Sequence, residues 1–329
     1  MQKWFIMFII KLNGFVPERR NVMKTKHLFI LNPVAGKSSC IDSMTKAILD
    51  AVKSLDKETD EYEIMNTGAK GDAGAFTANT AKSYDGEVRV YACGGDGTLN
   101  EVVSAAVDHP NVSVCPVPVG SGNDFVRCFE DIPKEKFLDI NACLRGKAVP
   151  CDVLKVDDRY SVNIISVGLD AVTGLRQKKF KKLPLISAGA AYKVALGLSF
   201  LTNMKNKISF EVDGMPFDAG SEYVTLGVVG NGRWYGGGFK ATPYAEIGDG
   251  LIDFVTVRTI SRIEFLKYVS IYKRGEHIEK MPFVKYVRCK KIKMIADKPL
   301  TLQLDGEIHT SKDPVVEVLP AATRIILPE

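Results

Sequence analysis

A carboxylate set among glycines is the strongest chemical signal in this sequence. Residues 94–98 read Gly-Gly-Asp-Gly-Thr and lie between an apolar run at 88–92 and a stretch with helical spacing of apolar residues. Glycines let a backbone approach a phosphate closely, and a helix N-terminus offers unpaired N–H groups and a favourable dipole. We expect Thr98 to cap this helix and Asp96 to reach a metal-bound water or a phosphate. The segment therefore predicts a phosphate-binding turn.

Two further glycine-bearing loops follow predicted strands. Residues 120–125 read Gly-Ser-Gly-Asn-Asp-Phe, and residues 32–37 read Asn-Pro-Val-Ala-Gly-Lys. Because loops at the carboxyl ends of strands in an open α/β sheet meet at one crevice, we expect these loops to share a site. The loop at 32–37 also fits a simple connection between a strand and a helix.

Spacing excludes two common nucleotide motifs. The triplet Gly36-Lys37-Ser38 resembles the end of a P-loop, but the first glycine of that motif would fall at Leu31. A dinucleotide-binding fingerprint beginning at Gly120 would need a glycine where Phe125 stands. Neither the ordinary P-loop nor the dinucleotide fingerprint is therefore present.

Composition narrows the class of protein. A chain of 329 residues suits two domains, and 46% hydrophobic with 25% charged residues is typical of globular proteins. The net charge of +5 is far below the clustered basic excess of a dedicated nucleic-acid binder, so we expect no nucleic-acid partner. Seven scattered cysteines without CxxC pairs predict a reduced, cytoplasmic chain. Four distant histidines without HExxH spacing argue against histidine–metal catalysis.

The elements that must position the loops change in type near residue 150. Before it, apolar runs alternate with helical patterns, such as the one that predicts a helix over 42–57. Beyond it, β-type segments follow one another, interrupted by predicted helices at 185–201 and 263–273. We predict an α/β plus β fold, with an N-terminal Rossmann-like α/β nucleotide domain and a C-terminal antiparallel β-sandwich domain. The predicted parts are residues 1–23 as an extension, 24–150 with 312–329 as the nucleotide domain, and 151–311 as the sandwich.

The extension contains a short apolar run at residues 4–10. This run is too short to span a bilayer, and no small-residue cleavage site follows it. We interpret residues 1–23 as a stretch upstream of a start near Met23; a weak interfacial anchor is the alternative.

Six ordered motifs resemble the bacterial diacylglycerol kinase family, from Lys24 to near the end of the chain. They are Asn32-Pro33 with Gly36, residues 94–101, residues 120–124, Asn163 with 168–170, residues 248–253, and residues 304–307. The resemblance implies an ATP-dependent kinase that phosphorylates the hydroxyl of diacylglycerol to give phosphatidate. Its cofactors would be ATP and Mg²⁺.

The resemblance also implies roles for individual residues. ATP contacts would come from Asn32, Pro33, Val34, Ala35, Gly36, Thr67, Gly94, Gly95, Asp96, Gly97, Thr98, Leu99, Asn100, Glu101 and Ser121. Asp96, Asp124 and Asp152 would form a magnesium and water network near the phosphates. A structural Mg²⁺ loop would use Glu246, Asp249 and Leu251, through one carboxylate and two backbone carbonyls. Asp305 is favoured as the catalytic base, with Glu307 as the alternative; without the resemblance, Leu-Asp-Gly-Glu equally predicts a hairpin turn.

A basic run beside an apolar stretch bears on whether the protein contacts a membrane. Residues 176–182 read Arg-Gln-Lys-Lys-Phe-Lys-Lys and precede the apolar residues 183–201. The lysines either meet anionic lipid headgroups or form a solvated loop, and proline and polar residues argue against a membrane span. The aromatic and glycine segment 233–239 either rims an acyl-chain entrance or forms a hairpin. We expect peripheral association with the inner face of the membrane; a homodimer is common in the family.

Two other functions stay open. Sphingoid-base and ceramide kinases look similar around the glycine loops, but Asp124 fits the diacylglycerol type better. An NAD-kinase-like ATP-binding protein would not need the motifs at 249–250 and 305–307 in this arrangement.

Overall fold

The computed structural model describes residues 24–35, 39–180 and 188–329, without the side chains of residues 39, 40, 178 and 188–193. The predicted extension at 1–23, Gly36, and the lysines at 181 and 182 lie outside the described residues. The strands are β1 (Thr25–Leu31), β2 (Asp60–Asn66), β3 (Glu87–Gly94), β4 (Val112–Pro118), β5 (Lys147–Val156), β6 (Arg159–Ser161), β7 (Ile164–Gly168), β8 (Asn206–Lys207), β9 (Ser209–Val212), β10 (Met215–Phe217), β11 (Tyr223–Gly230), β12 (Trp234–Tyr235), β13 (Phe239–Lys240), β14 (Ile252–Arg258), β15 (Val284–Cys289), β16 (Lys291–Ile295), β17 (Leu300–Leu304), β18 (Glu307–Ser311) and β19 (Val315–Leu327). The helices are α1 (Ser39–Ala51), α2 (Asp72–Ser83), α3 (Asp96–Ala106), α4 (Lys134–Leu138), α5 (Ile140–Arg145), α6 (Leu169–Phe180), α7 (Ala188–Thr202), α8 (Arg262–Arg274) and α9 (His277–Lys280).

The first half of the chain forms a parallel sheet in the order β2, β1, β3, β4, with helices between the strands. Strands β1, β3 and β4 are largely buried because helices cover the sheet, and β4 is buried along its whole length, whereas the edge strand β2 is partly exposed. Helix α1 ends earlier than predicted, because a 3₁₀ turn at Val52–Ser54 and an extended Leu55 follow it. Val52 is nevertheless buried beside Ile48, as the helical spacing predicted.

The last strand joins the two halves of the molecule. Strand β19 runs parallel to β4, with Ile325 opposite Val114, and antiparallel to β5 and β16. Its register shifts between Leu319 and Thr323. At this irregularity Ala321 has a φ of 48°, and its N–H donates to the Asp152 carboxylate at 2.7 Å. The sheet therefore continues from the α/β half into the sandwich.

A second sheet, in the order β15, β14, β11, β7, β17, β18, packs against this continuation. The core between the sheets takes Leu154, Phe210 and Met294 from one side and Ile165 and Phe254 from the other. The predicted α/β plus β architecture is confirmed. One layer of the sandwich, however, is an extension of the nucleotide sheet, because β19 is long enough to pair in both halves.

Helices α6, α7 and α8 pack near the second sheet, on the side away from the sandwich core. Helices α7 and α8 match the helices predicted for this half to within a few residues. Helix α8 begins at a capping box, in which the Ser261 hydroxyl accepts from the N–H of Glu264 and the Glu264 carboxylate accepts from the N–H of Ser261. In the described part of the chain, no helix has the length and apolar character needed to cross a membrane.

Candidate active site

The loops that follow β1, β2, β3 and β4 meet at one edge of the parallel sheet, as expected for a doubly wound sheet. They form one wall of a cleft of about 860 Å³, and the β17–β18 hairpin forms part of the opposite wall. The predicted site residues that line this cleft are Asn32, Val34, Ala35, Thr67, Gly95, Asp96, Gly97, Thr98, Glu101, Ser121, Asp124, Asp305 and Glu307.

Two glycine loops touch each other at the floor of the cleft. A Cβ atom on Gly120 would lie 2.4 Å from Cα of Gly95, and one on Gly122 would lie 2.5 Å from Oδ2 of Asp96. The Asp96 carboxylate accepts hydrogen bonds from the N–H groups of Asn123 at 2.8 Å and Asp124 at 2.9 Å. Asp96 therefore fixes the second loop against the first, and only glycine permits that approach.

The prediction that Thr98 caps helix α3 is wrong. The helix begins at Asp96, with Gly95 in the N-cap position, and Thr98 lies buried inside the first turn. The Thr98 hydroxyl instead accepts a hydrogen bond from the Asn32 amide at 2.9 Å. This contact joins the loop after β1 to the start of α3.

Asp124 connects the two halves of the molecule across the cleft. Its Oδ2 accepts a hydrogen bond from the N–H of Gly237 at 2.7 Å, in the glycine turn between β12 and β13. Its Oδ1 is buried and accepts no hydrogen bond within the described residues, while the Arg127 guanidinium lies 3.3 Å away. Burial raises the pKa of Asp124, and the hydrogen bond from Gly237 opposes this shift.

Asp305 is held in the turn of the β17–β18 hairpin, with a φ of 46°. Its carboxylate accepts hydrogen bonds from the N–H groups of Val162, Asn163 and Ile164, from the Ser161 hydroxyl and from the Asn100 amide, all between 2.8 and 3.2 Å. Burial raises the pKa of Asp305, and these donors oppose the shift. Both carboxylate oxygens are thus occupied by protein donors.

Glu307 begins the second strand of the same hairpin and lines the cleft. Its carboxylate forms an ion pair with Lys70, which lies in the loop between β2 and α2. The pair therefore links the two walls of the cleft. Lys70 was not predicted as a site residue, although the sequence Thr67-Gly68-Ala69-Lys70 after a strand is a further glycine-bearing loop with a cation.

Several predicted residues do not line the cleft. Pro33, Gly94, Leu99 and Asn100 are not among its lining residues, and the Asn100 amide instead donates to Asp305. Asp152 is buried, and its carboxylate accepts from the N–H groups of Gly250 at 2.6 Å and Ala321.

The predicted structural metal loop lies directly before the first residue of β14 and not in the cleft. Asp249 accepts a hydrogen bond from the N–H of Leu251 at 2.9 Å and forms an ion pair with the Arg288 guanidinium. Glu246 lies close enough to raise the pKa of Asp253, after burial as the main cause. An ion at the Asp249 carboxylate would have to displace Arg288, so we derive no step from a metal in this loop. No cluster of three His, Cys, Asp or Glu side chains suited to a metal occurs among the described residues.

A second cavity opens beside the cleft, and Tyr235, Gly236 and Phe239 of the segment 233–239, for which an acyl-chain entrance was one of two predicted roles, line it. It is mainly apolar and is lined by helices α6, α7 and α8 and the second sheet; its residues include Leu196, Phe265, Tyr268, Val269 and Met281. The cavity and the cleft share four residues at their junction: Gln177, Tyr235, Gly236 and Gln303. A polar cleft therefore leads directly into an apolar cavity.

One partly buried carboxylate lines the apolar cavity. Asp170 accepts a hydrogen bond from the Tyr235 hydroxyl, which is 3.2 Å from the Tyr272 hydroxyl. Burial raises the pKa of Asp170 to about 6, and the Tyr235 hydrogen bond opposes this shift. Within the described residues, no cation forms an ion pair with Asp170. The motif at 168–170 and the segment 233–239 were the only sequence signals of this cluster.

Family models match both halves of the chain. Residues 26–156 match the diacylglycerol kinase catalytic domain, and residues 163–327 match the YegS C-terminal NAD kinase beta sandwich-like domain. The chain is 29% identical over 287 residues to a diacylglycerol kinase of Staphylococcus carnosus, covering 87% of this chain and 89% of that protein. It is 32% identical over 289 residues to a Xanthomonas campestris protein named "Probable lipid kinase YegS-like", covering 85% and 91%.

The solved structure of a diacylglycerol kinase from Bacillus anthracis has the same fold. It superposes with a TM-score of 0.67 at 20% identity, covering 92% of this chain and 96% of that one. Its likeness to this chain extends across both halves.

Proposed function

The chain belongs to the family that joins a diacylglycerol kinase catalytic domain to a YegS-type C-terminal domain, and we propose that its acceptor is the hydroxyl of diacylglycerol. Membership makes it a lipid kinase that uses ATP. The observation that carries the finer proposal is the junction of the polar cleft with the apolar cavity. A lipid with the part of its tails nearest the hydroxyl in this cavity of about 130 Å³ would present the hydroxyl to the cleft.

ATP would bind with its phosphates over the loops at the sheet edge. The N-terminus of α3 and the touching glycine loops offer backbone N–H groups and a favourable dipole to an anion. Lys70 adds a cation at the same wall of the cleft. This set binds and orients phosphates without covalent participation, as phosphoryl transfer requires.

Asp96 and Asp124 would hold the magnesium ion that accompanies ATP, either directly or through water. Oδ1 of Asp124 supports this assignment, because it accepts no hydrogen bond among the described residues and the Arg127 side chain, 3.3 Å away, is half-exposed and can move aside for an ion. When bound, the ion offsets the negative charge of the phosphates. Asp152 has no part in the proposal, because its carboxylate is buried on backbone N–H groups outside the cleft.

Glu307, rather than Asp305, would accept the proton of the acceptor hydroxyl. Both acids line the cleft, but five protein donors occupy the two carboxylate oxygens of Asp305, whereas Glu307 lies opposite the phosphate loops in an ion pair with the exposed Lys70. The hydroxyl oxygen would form a bond to the γ-phosphorus, the bond from that phosphorus to ADP would break, and the hydroxyl proton would pass to Glu307. Asp305 would act by positioning residues 161–164.

A second acceptor is favoured by Asp170. The Asp170 carboxylate, which forms no ion pair with a cation among the described residues, would gain one from a lipid that carries a protonated amine beside its hydroxyl. A long-chain amino alcohol is therefore the second candidate, against diacylglycerol, whose hydroxyl and ester groups would meet the same cluster by hydrogen bonds.

The test is an assay with labelled ATP, magnesium and a panel of diacylglycerol, ceramide, sphingosine, phosphatidylglycerol, undecaprenol and NAD. We expect labelled phosphatidate as the main product. If the amino alcohol is labelled by the wild type but not by Asp170→Asn, the amino alcohol is the acceptor. If no lipid of the panel is labelled, the lipid-kinase assignment is wrong.

The same assay tests the base. We expect Glu307→Gln to lower kcat by about 10²–10⁴-fold, the usual contribution of a positioned base, with ATP binding unchanged. Glu317→Gln is the matched control, because Glu317 is an acid of strand β19 outside the cleft and the cavity. Wild-type kcat in Glu307→Gln would remove Glu307 from this role.

A further inference from the structure

Helices α7 and α8 present an unusual apolar surface to solvent. Most large apolar side chains of the described residues are buried, but five on these two helices are exposed: Val194 by 50%, Leu198 by 40%, Leu201 by 58%, Ile263 by 81% and Leu266 by 65%. We call this surface the α7–α8 face. An exposed apolar patch with a polar rim is typical of a surface that binds a partner or a membrane.

The side chains of the α7–α8 face lie on matching sides of their helices. Val194, Leu198 and Leu201 are spaced by four and three residues, and Ile263 and Leu266 by three, so each set forms a stripe. The Arg262 guanidinium donates to the carbonyls of Phe200 at 3.3 Å and of Leu201, at the end of α7. The Phe200 and Phe265 rings pack with centroids 5.1 Å apart. These contacts hold the two stripes together.

Cations border the apolar stripes. Helix α8 carries Arg262, Lys267, Lys273 and Arg274 and a single acidic residue, Glu264. Lys267 is exposed one position after Leu266, and Lys205 is exposed just beyond the end of α7. Apolar side chains that enter the acyl boundary, with lysines and arginines at headgroup level, complement an anionic bilayer.

The other side of the same helices lines the apolar cavity. Leu196 reaches the cavity from α7, and Phe265, Tyr268 and Val269 reach it from α8. Residues that face solvent and residues that face the cavity therefore alternate along the same two helices. A bilayer in contact with the α7–α8 face would lie one helix thickness from the place where lipid tails would bind.

We propose that the α7–α8 face docks this kinase on a bilayer of anionic lipids and passes the acceptor lipid from that bilayer into the apolar cavity. The proposal deepens the lipid-kinase function, on which it rests, by naming the surface that meets the membrane. It does not depend on the lysines predicted for this purpose at 178–182. The bilayer is the favoured occupant because the cations supply charge complementarity and the cavity lies directly beneath.

The experiment measures sedimentation of the full chain with vesicles of equal parts phosphatidylcholine and phosphatidylglycerol. The test variant combines Ile263→Asn and Leu266→Asn, two residues that do not line the cavity. The control is Met215→Asn, because Met215 is 69% exposed on β10, at the far edge of the other sheet. We expect vesicle binding to weaken by about tenfold or more in the test variant, since it loses two inserted aliphatic side chains. We expect no change in the control.

Charge and activity give two independent readings. Lys267→Glu should weaken binding to the mixed vesicles but not to vesicles of phosphatidylcholine alone. With a short-chain diacylglycerol dispersed as monomers, the test variant should keep wild-type kcat, whereas its rate on vesicle-borne lipid should fall with binding. If the wild-type protein phosphorylates none of these lipids, the result would instead count against the lipid-kinase function itself.

Wild-type vesicle binding by the Ile263→Asn, Leu266→Asn variant would overturn the proposal. The same conclusion would follow if light scattering showed a lower mass for the variant than for the wild type while vesicle binding stayed the same. The α7–α8 face would then join two copies of this chain.

Discussion

Two acidic residues separated by one glycine have different surroundings in the β17–β18 hairpin. Asp305 accepts hydrogen bonds from five donors, whereas Glu307 is paired with Lys70 at the cleft. Residue type alone does not separate a structural carboxylate from a reactive one. The hydrogen-bond partners of Asp305 and Glu307 separate the two residues, because a carboxylate whose lone pairs are occupied by fixed donors is a poor acceptor for a substrate proton.

Replacement of Asp305 should therefore act on stability first. In Asp305→Asn, an amide group would face some of the N–H groups of Val162, Asn163 and Ile164, so donors would oppose donors. We expect the free energy of unfolding to fall by about 2–4 kcal/mol, measured by urea denaturation. Asp157→Asn is a suitable control, since Asp157 pairs with His309 near the surface. Unchanged stability with complete loss of turnover would restore Asp305 as the base.

Buried histidines make stability depend on pH. Burial lowers the pKa of His27 from 6.5 to about 4 and that of His277 to about 4, so both stay neutral in the folded protein at neutral pH. Below pH 6.5 the unfolded chain takes up protons that the folded protein does not, so stability falls as the pH drops towards 4. Above pH 6.5 this contribution is constant.

Replacement of His27 should reduce that pH dependence. Between pH 7.5 and pH 5, we expect His27→Gln to lose about 2 kcal/mol less unfolding free energy than the wild type, because one titrating group is removed. Urea denaturation at the two pH values measures the difference. A pH dependence in His27→Gln identical to that of the wild type would contradict the assignment.

At the scale of elements, the site depends on the close approach of two loops. Parallel strands β3 and β4 end side by side, and the loops after them touch where Gly95 meets Gly120. Asp96 then binds the N–H groups of the second loop, so the two loops are held together without a ligand, as the proposed phosphate site requires.

A methyl group between these loops should weaken nucleotide binding. In Gly122→Ala the new Cβ would lie 2.5 Å from Oδ2 of Asp96, so either the loop or the carboxylate must move. We expect the Kd for ATP, measured by isothermal titration calorimetry, to rise by about tenfold or more, a loss of about 1.4 kcal/mol. Gly197→Ala is the control, because nothing lies within 4 Å of its Cβ and α7 is remote from the phosphate loops. Equal Kd values for both variants would contradict the close-approach argument.

At the scale of the whole molecule, strand β19 makes the two halves share a sheet. It pairs with β4 of the α/β half and with β5 and β16 of the sandwich, and Asp124 adds a contact with the β12–β13 turn. Because one sheet continues through both halves, unfolding of one half removes strand pairing from the other. The halves should therefore unfold together despite their different architectures.

A single-tryptophan protein tests this coupling. The sequence has two tryptophans, and Trp4→Phe leaves Trp234, which lies in β12 of the second half. We expect the urea midpoint of Trp234 fluorescence to coincide with that of far-ultraviolet circular dichroism, which reports on both halves. Two separate transitions would show that β19 does not couple them.

By itself the sequence determined the α/β plus β architecture and the three glycine loops, because these depend on local periodicity and on backbone freedom at particular residues. It also indicated that Asp96, Asp124 and Glu307 belong to one site, since residues after neighbouring parallel strands and in ordered motifs converge. Lys70 was missed because a lysine in a surface loop has no distinctive spacing.

Only the tertiary structure decided which carboxylates are occupied by protein donors. Asp152 and Asp305 accept donors from segments far away in the chain, so their occupancy has no local signature. The apolar cavity beside Asp170 and the exposed stripes of α7 and α8 likewise arise where helices from separate segments meet the second sheet. The glycine turn around Asp96 thus predicts phosphate chemistry from local sequence, whereas the partners of each acid and the proposed route for a lipid depend on long-range packing.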